Sequence, residues 1–139
     1  MKIEIMNRED ARKESFKKNA PTTAIISISN IAAENNIFNY SEWLKAVLYV
    51  NFDDEESYSP NSIKKFDADN ICGFVNRIKD KVERIIVHCE AGVSRSAGVG
   101  AAIMKFLNGD DMPIFNNGRF RPNMTCYRIV LNTFMDNDK

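Results

Sequence analysis

Short apolar runs in this chain alternate with longer segments in which apolar residues recur at helical spacing. Polar and apolar residues alternate over residues 2–6, which predicts a short edge strand. β-Branched runs at residues 22–28 and 84–87 predict strands, the first of them buried, and an apolar run at residues 44–52 predicts a strand that leads into an acidic loop. Because the run at residues 84–87 is too short and too β-branched for a helix, we expect a central strand there.

Two segments that precede the last strand have the periodicity of helices. A charged segment at residues 8–18 predicts a helix between the first two strands. Residues 62–80 predict a longer amphipathic helix, because their apolar residues fall on one helical face. The residues expected on that face are Ile63, Phe66, Ile71, Phe74, Val75, Ile78 and Val82.

The C-terminal third of the chain predicts two more helices. Residues 97–107 are rich in alanine and apolar on nearly every side, so we expect a buried helix under the sheet, ended by Gly109. Pro122 suits the first position of a last helix. The inner face of that helix is expected to hold Met124, Tyr127, Leu131, Phe134 and Met135. The alternation predicts an α/β sandwich, a single domain (residues 1–139) with helices flanking a central, mostly parallel β-sheet.

Length and charge narrow the classes of function. The chain has 139 residues, 44% of them hydrophobic and 27% charged, which is typical of one globular domain. Nineteen basic side chains balance nineteen acidic ones, so the zero net charge supplies no general attraction to nucleic acid or to an anionic membrane. The first ten residues turn polar too early for a signal peptide, and no run is long enough to span a membrane. We therefore expect a cytoplasmic protein.

The three cysteines, Cys72, Cys89 and Cys126, are too few and too widely spaced for a disulfide framework or a paired metal site. Only Cys89 lies in a segment with other reactive residues, a polar turn at residues 88–98 that follows the strand predicted at 84–87. Parallel sheets bind their ligands at the carboxyl ends of strands. We therefore expect Cys89 in a binding site, and Cys72 and Cys126 in the core.

The polar turn has the composition of an anion site. Backbone N–H groups at a helix N-terminus are unpaired, and the helix dipole adds positive charge, so phosphate can be held there. Gly92 lets the chain curl, and Arg95 supplies a planar fork for two phosphoryl oxygens. The same field should lower the pKa of Cys89 and yield a thiolate suited to phosphoryl transfer. The residues expected around the phosphate are Glu90, Ala91, Gly92, Val93, Ser94 and Arg95.

The turn resembles the phosphate-binding signature His-Cys-x-x-Gly-x-x-Arg-Ser of the cysteine-dependent protein tyrosine phosphatases. The matching residues are His88, Cys89, Gly92, Arg95 and Ser96. The sequence Phe-Asp-Asp at 52–54 is similar to the acid loop of the dual-specificity branch, and Pro-Asn at 122–123 resembles that branch's segment behind the phosphate loop. The resemblance covers roughly residues 46–134 and implies the fold of these phosphatases.

The resemblance also implies a mechanism. Cys89 attacks phosphorus, Arg95 holds the phosphoryl oxygens, and an aspartic acid protonates the leaving oxygen before water hydrolyses the phosphocysteine. The chemistry requires that acid, because a phenolate leaves poorly without a proton. The family alignment assigns the role to Asp54, and Asp53 is the alternative.

Three further residues are expected to support this site. By the resemblance, the Ser96 hydroxyl donates to the sulfur of Cys89 and eases its departure in the second step, and Asn123 braces the loop from behind. His88, the single histidine, is expected to orient the loop through hydrogen bonds rather than to act as a base or a metal ligand. We expect no metal and no cofactor.

The expected function is that of a small dual-specificity-like phosphatase acting on phosphotyrosine in a protein or peptide, with phosphoserine and phosphothreonine as further candidate substrates. Glu90, and the absence of Lys from the loop, disfavour multiply phosphorylated inositides. Rhodanese-like and Cdc25-like proteins also place a cysteine loop at a helix start, but they fit the Asp54 region less well. A non-catalytic phosphoprotein-binding module is the alternative from another class, and the intact Cys89, Arg95 and Asp54 argue against it.

Overall fold

One parallel sheet organises the computed structural model, which describes residues 1–35, 38 and 41–138. Its strands are β1 (Lys2–Met6), β2 (Thr23–Ser29), β3 (Leu44–Asn51) and β4 (Arg84–His88). They lie in the order β1-β4-β2-β3, and every neighbouring pair is parallel. The predicted edge position of β1 and central position of β4 are confirmed.

Helices cover both faces of the sheet. They are α1 (Arg8–Ser15), α2 (Lys65–Ile78), α3 (Arg95–Asn108), α4 (Met112–Phe115) and α5 (Met124–Asn137). On one face α1 packs against β1 and β4. On the other, α3 packs against the same two strands, α2 covers β3, and α5 contacts both of these helices. The predicted α/β sandwich is confirmed.

Alternation along the central strands explains the two layers. Ile25 and Ile86 lie on the α1 side, where they pack in one cluster with Ala11. Ile26 and Ile85 belong to the larger cluster that includes residues of α2, α3 and α5. Since successive side chains of a strand point to opposite faces, a strand buried on both faces is apolar at successive positions.

The α2 helix is shorter than the predicted segment 62–80. The Asp67 side chain accepts a hydrogen bond from the Lys64 N–H (2.8 Å) and fixes the helix start after that residue. Phe66, which was predicted on the inner face, is 64% exposed. It lies outside the buried stripe that runs through Ala68 and Ile71, so that prediction was wrong.

The α5 helix begins two residues later than predicted. Asn123 caps it by accepting a hydrogen bond from the Cys126 N–H (3.1 Å), so Pro122 precedes the cap rather than opening the helix. Met135, predicted on the inner face, is 55% exposed. Its neighbour Phe134 points inward instead. Consecutive residues of a helix lie about 100° apart around its axis, so Met135 points away from the core. The buried residues of α5 are Thr125, Cys126, Val130, Thr133 and Phe134.

Two other helices differ from the sequence prediction. The charged segment predicted to be helical to residue 18 ends at Ser15, where Phe16 is the C-cap residue. The four-residue α4 was not predicted from the sequence; it carries Pro113 in its first turn, where proline is tolerated, and buries Ile114. Within the described part of the chain, no helix has the length and apolar character needed to cross a membrane.

Candidate active site

The cysteine loop, residues 89–95, joins β4 to α3 at the carboxyl end of the sheet. Gly92 has a φ of 69°, a conformation that residues with a side chain rarely adopt. A Cβ at this position would lie 2.5 Å from the nitrogen of Asn7 and 2.7 Å from the carbonyl oxygen of Met6. Gly92 therefore allows both the turn and its close packing on the junction of β1 and α1.

The segment before α5 holds the outer side of the cysteine loop. The Arg121 N–H donates to the Val93 carbonyl (2.9 Å), and the Asn123 N–H donates to the Ser94 carbonyl (3.0 Å). The N–H groups of Gly92 and Ser96 hydrogen-bond to the Cys89 sulfur, beside the N-terminus of α3. Both features favour a bound anion.

Cys89 is the thiol of this loop. Only 3% of the residue is exposed, and its Sγ lies 3.1 Å from Ser96 Oγ. Burial alone would raise the pKa of the thiol. Hydrogen bonds from the Ser96 hydroxyl and from the N–H groups of Ser96 and Gly92, together with the charge of Arg95, outweigh burial and hold the pKa of Cys89 below its ordinary value. The environment thus favours a thiolate.

His88 lies behind the loop and is fully buried. Burial lowers the pKa of its ring to about 4, so the ring is neutral near pH 7. Nδ1 lies 3.2 Å from the Cys89 carbonyl oxygen, and Nε2 lies 2.7 Å from Ser27 Oγ. A carbonyl accepts only, so Nδ1 donates to it and Nε2 accepts from the Ser27 hydroxyl. These contacts suit the predicted loop-orienting role.

Arg95 is the first residue of α3, and 5% of it is exposed. Its Nη1 donates to Asn30 Oδ1 and to the Phe52 carbonyl, each at 2.7 Å. These acceptors follow β2, which pairs with β4, and β3, which pairs with the other edge of β2. The carboxyl edge of the sheet therefore holds the side chain that the sequence assigned to phosphoryl oxygens.

The two candidate acids have different surroundings. Asp54 Oδ1 accepts hydrogen bonds from Ser94 Oγ (2.9 Å) and from Asn123 Nδ2 (2.8 Å). Asp53 Oδ1 accepts instead from the Ile31 N–H (3.0 Å), in the chain that follows β2. The structure thus brings Asp54 to the cysteine loop and ties Asp53 to a neighbouring turn.

The remaining loop residues form the outer rim. Glu90 makes an ion pair with Arg8, and the Arg8 N–H donates to the Glu90 carbonyl (3.4 Å). Ala91 is exposed, while Val93 and Ser94 are half-buried. Among the described residues, no group of three or more His, Cys, Asp or Glu side chains is arranged to hold a metal ion.

The sequence predictions missed three contributors to the site, namely Asn30, Ser27 and Arg8. Asn30 and Ser27 lie at the carboxyl end of β2, which is hydrogen-bonded to β4. The sequence does mark these two residues, because they are polar and interrupt or end an otherwise apolar strand. Assigning them to the site also requires knowing that β2 lies next to β4, and the sequence pattern does not specify the strand order. Arg8 reaches the site because β1 also pairs with β4.

Solved structures of other proteins have a similar fold. The chain resembles human DUSP28 with a TM-score of 0.68 and 15% identity over 98% of this chain and 93% of that one. PTPMT1 in complex with PI(5)P gives a TM-score of 0.62 and 12% identity over 97% and 91% of the two chains. The human tyrosine phosphatase-like serine/threonine/tyrosine-interacting protein gives 0.58 and 18% identity over 84% and 79%.

Sequence comparison supplies the family. No curated protein sequence matches this chain. The family of dual specificity phosphatase catalytic domains matches residues 5–110, a range that contains Asp54 and the whole cysteine loop. Because this match spans well over half of the sequence, the chain belongs to the dual specificity phosphatase catalytic domain family.

Proposed function

We propose that this protein is a phosphatase that hydrolyses phosphotyrosine in proteins through a phosphocysteine intermediate. The observation that carries the proposal is the Cys89 thiol, whose pKa is lowered by hydrogen bonds of Ser96 and Gly92 at the start of α3. A lowered pKa increases the fraction of thiolate, which is the nucleophilic form of cysteine. Family membership supports the same reaction class.

In the first step the Cys89 thiolate forms a bond to phosphorus while the bond from phosphorus to the tyrosine oxygen breaks. Arg95 and the loop N–H groups hold the other phosphoryl oxygens and stabilise their charge. The departing oxygen takes a proton from Asp54. Both hydrogen bonds that Asp54 accepts from described residues go to Oδ1, so Oδ2 is the atom available to carry that proton.

In the second step water attacks phosphorus and the bond from phosphorus to sulfur breaks. Asp54, now ionised, accepts the proton of the water. Ser96 Oγ, 3.1 Å from Cys89 Sγ, donates to the sulfur as it regains negative charge. The products are inorganic phosphate and the free thiolate, so no oxidant or metal is needed to balance the cycle.

The rim of the site favours substrates with a single phosphate. Glu90 neutralises Arg8 in an ion pair, so this cation is not left free for a second phosphate. Arg119 is also engaged, because its guanidinium lies over the Phe120 ring (5.1 Å to the centroid) and its Nη2 contacts the Ile5 carbonyl (3.5 Å). These contacts support a phosphoprotein rather than a highly charged lipid headgroup.

A phosphoinositide is the second candidate substrate, because PTPMT1, a protein with a similar fold, was solved in complex with PI(5)P. Phosphate release should be measured from phosphotyrosine, phosphoserine and phosphothreonine peptides and from PI(5)P at matched concentrations, with EDTA present throughout. We expect kcat/KM for the phosphotyrosine peptide to exceed that for PI(5)P by tenfold or more. A tenfold ratio is the order of magnitude of one missing contact between a cation of the protein and a phosphate of the lipid. The reverse preference would assign a lipid substrate, and tight peptide binding without turnover would assign a non-catalytic module.

A further inference from the structure

Arg95 has one end of its guanidinium already occupied by the protein. Nη1 carries two protons, and two acceptors lie 2.7 Å away, Asn30 Oδ1 and the Phe52 carbonyl. No described residue accepts a hydrogen bond from Nε or Nη2. The edge formed by Nε and Nη2 is thus the one left for a bidentate contact with two oxygens of a phosphoryl group.

The two acceptors differ in how they are held. The Phe52 carbonyl is part of the main chain that leaves β3, whereas the Asn30 oxygen belongs to a side chain just beyond β2. The main chain around Asn30 is fixed at the next residue, because the Ile31 N–H donates to Asp53 Oδ1 (3.0 Å). Asn30 is exposed, so its contact with the buried Arg95 is not a by-product of core packing.

The chemistry of the acceptor also matters. An amide oxygen orients the guanidinium without a negative charge, so the cation keeps its full attraction for a phosphate dianion. A carboxylate in the same place would hold the same geometry but would partly neutralise Arg95. It would also weaken the positive field that helps to lower the pKa of Cys89.

We propose that Asn30 is a positioning residue for Arg95: its amide oxygen fixes the guanidinium so that the Nε and Nη2 edge faces the phosphoryl site. This role rests on the proposed function, since it requires an oxyanion at the cysteine loop. It also gives Asp53 a place in the site as a support for the turn that carries Asn30, distinct from the acid role assigned to Asp54.

The test measures oxyanion binding separately from turnover. Tungstate affinity is determined by calorimetry for the wild type, Asn30→Ala, Asn30→Asp and Arg95→Ala, together with kcat and KM on a phosphotyrosine peptide. Asn30→Ala should weaken tungstate binding about tenfold and raise KM, as loss of one hydrogen bond to a charged group predicts. Arg95→Ala should weaken binding by about 100-fold or more.

A second readout separates orientation from charge. The rate of Cys89 alkylation by iodoacetamide is followed against pH, and thiolate appears as pH rises through the pKa. Asn30→Asp should move this profile to higher pH, whereas Asn30→Ala should leave it closer to the wild-type position. A purely structural loss at residue 30 would not produce this difference.

Asn51→Ala is the matched control, because Asn51 Nδ2 donates to the main-chain carbonyl of Asn30 (3.3 Å) rather than to Arg95. We expect its tungstate affinity to stay within about twofold of the wild type. Equal losses in Asn51→Ala and Asn30→Ala, or an unchanged affinity in Asn30→Ala, would overturn the positioning role. Unchanged tungstate binding in Arg95→Ala would instead overturn the proposed function.

Discussion

The carboxyl edge of the sheet and the helical layer beneath it both contain buried cysteines, but the pKa values of the thiols in the two regions are shifted in opposite directions. In the helical layer, burial raises the pKa of Cys72 and of Cys126 to about 12, with Asp69 and Asp54 adding to the respective shifts. At the edge of the sheet, the pKa of Cys89 is lowered although the residue is equally buried.

Burial therefore does not decide the chemistry of a thiol in this fold. Cys72 Sγ has a carbonyl as its neighbour, that of Val130 at 3.6 Å, and a carbonyl stabilises only the protonated form. Cys89 Sγ is surrounded by donors, namely the Ser96 hydroxyl and two backbone N–H groups, and by the Arg95 cation. The difference arises because Cys89 precedes the N-terminus of a helix, whereas Cys72 lies within one.

The largest effect that the comparison predicts is the loss of activity in Cys89→Ser. Turnover of a phosphotyrosine peptide should fall by at least about 10³-fold, because serine is a far weaker nucleophile than a thiolate. Tungstate affinity, measured by calorimetry, should change much less, since Arg95 and the loop N–H groups remain. Retention of more than about a tenth of the activity would show that the sulfur is not the nucleophile.

The next effect distinguishes the two adjacent acids. Asp54→Asn should lower kcat about 10²-fold or more for phenyl phosphate and much less for an ester with an acidic leaving group, because only the former needs a proton. Asp53→Asn keeps an acceptor for the Ile31 N–H, so we expect a loss below tenfold that does not depend on the leaving group. The opposite pattern would make Asp53 the acid.

The sequence was sufficient to identify the residues that lie together in the cysteine loop but not the residues that surround it. The motif places Cys89, Gly92 and Arg95 within seven consecutive positions, and local chain geometry alone brings them together. Asn30 and Ser27 reach the site only through the strand order β1-β4-β2-β3, which depends on how the whole core packs. Hydrophobic periodicity reports a buried face and carries no information on which strands are neighbours.

The same limit explains the errors in the helices. Phe66 and Met135 each lie five residues from a buried residue of the same helix, Ile71 and Val130 respectively, and at 100° per residue this puts them about 140° around the helix from it. The helix starts, which hydrophobic periodicity does not locate, are fixed by the Asp67 and Asn123 side chains, which accept hydrogen bonds from main-chain N–H groups. The fold class could be predicted because it depends on the order of elements, which errors of two or three residues do not alter.

A further prediction concerns the neutral ring behind the cysteine loop. The pKa of His88 falls from 6.5 to about 4 on folding, so between these values the unfolded chain binds more protons than the folded protein. The free energy of unfolding should therefore decrease as pH is lowered through this window, with a contribution from His88 of about 3 kcal/mol in all.

Urea unfolding at pH 7 and pH 4.5 of the wild type and of His88→Gln measures this contribution. Glutamine does not titrate, so the variant should lose less stability on acidification, although it starts from a lower value. Carboxyl groups that titrate in the same range are common to both chains and cancel in the comparison. An equal loss in both chains would mean that the ring is not kept neutral by its environment.

The smallest effect is expected in the helical layer. Cys72→Ala removes a buried sulfur from the contact between α2 and α5 and should lower the free energy of unfolding by about 1 kcal/mol. The kcat/KM and the pH profile of Cys89 alkylation should both stay at their wild-type values, because no donor to the Cys89 sulfur is touched.

Cys126→Ala is the more demanding variant, since the Cys126 N–H donates to Asn123, which also contacts Asp54. Alanine keeps that N–H, so we expect the same result. A shifted alkylation profile in either variant would show that the two regions are electrostatically coupled and that burial of a second thiol helps to set the acidity of the first.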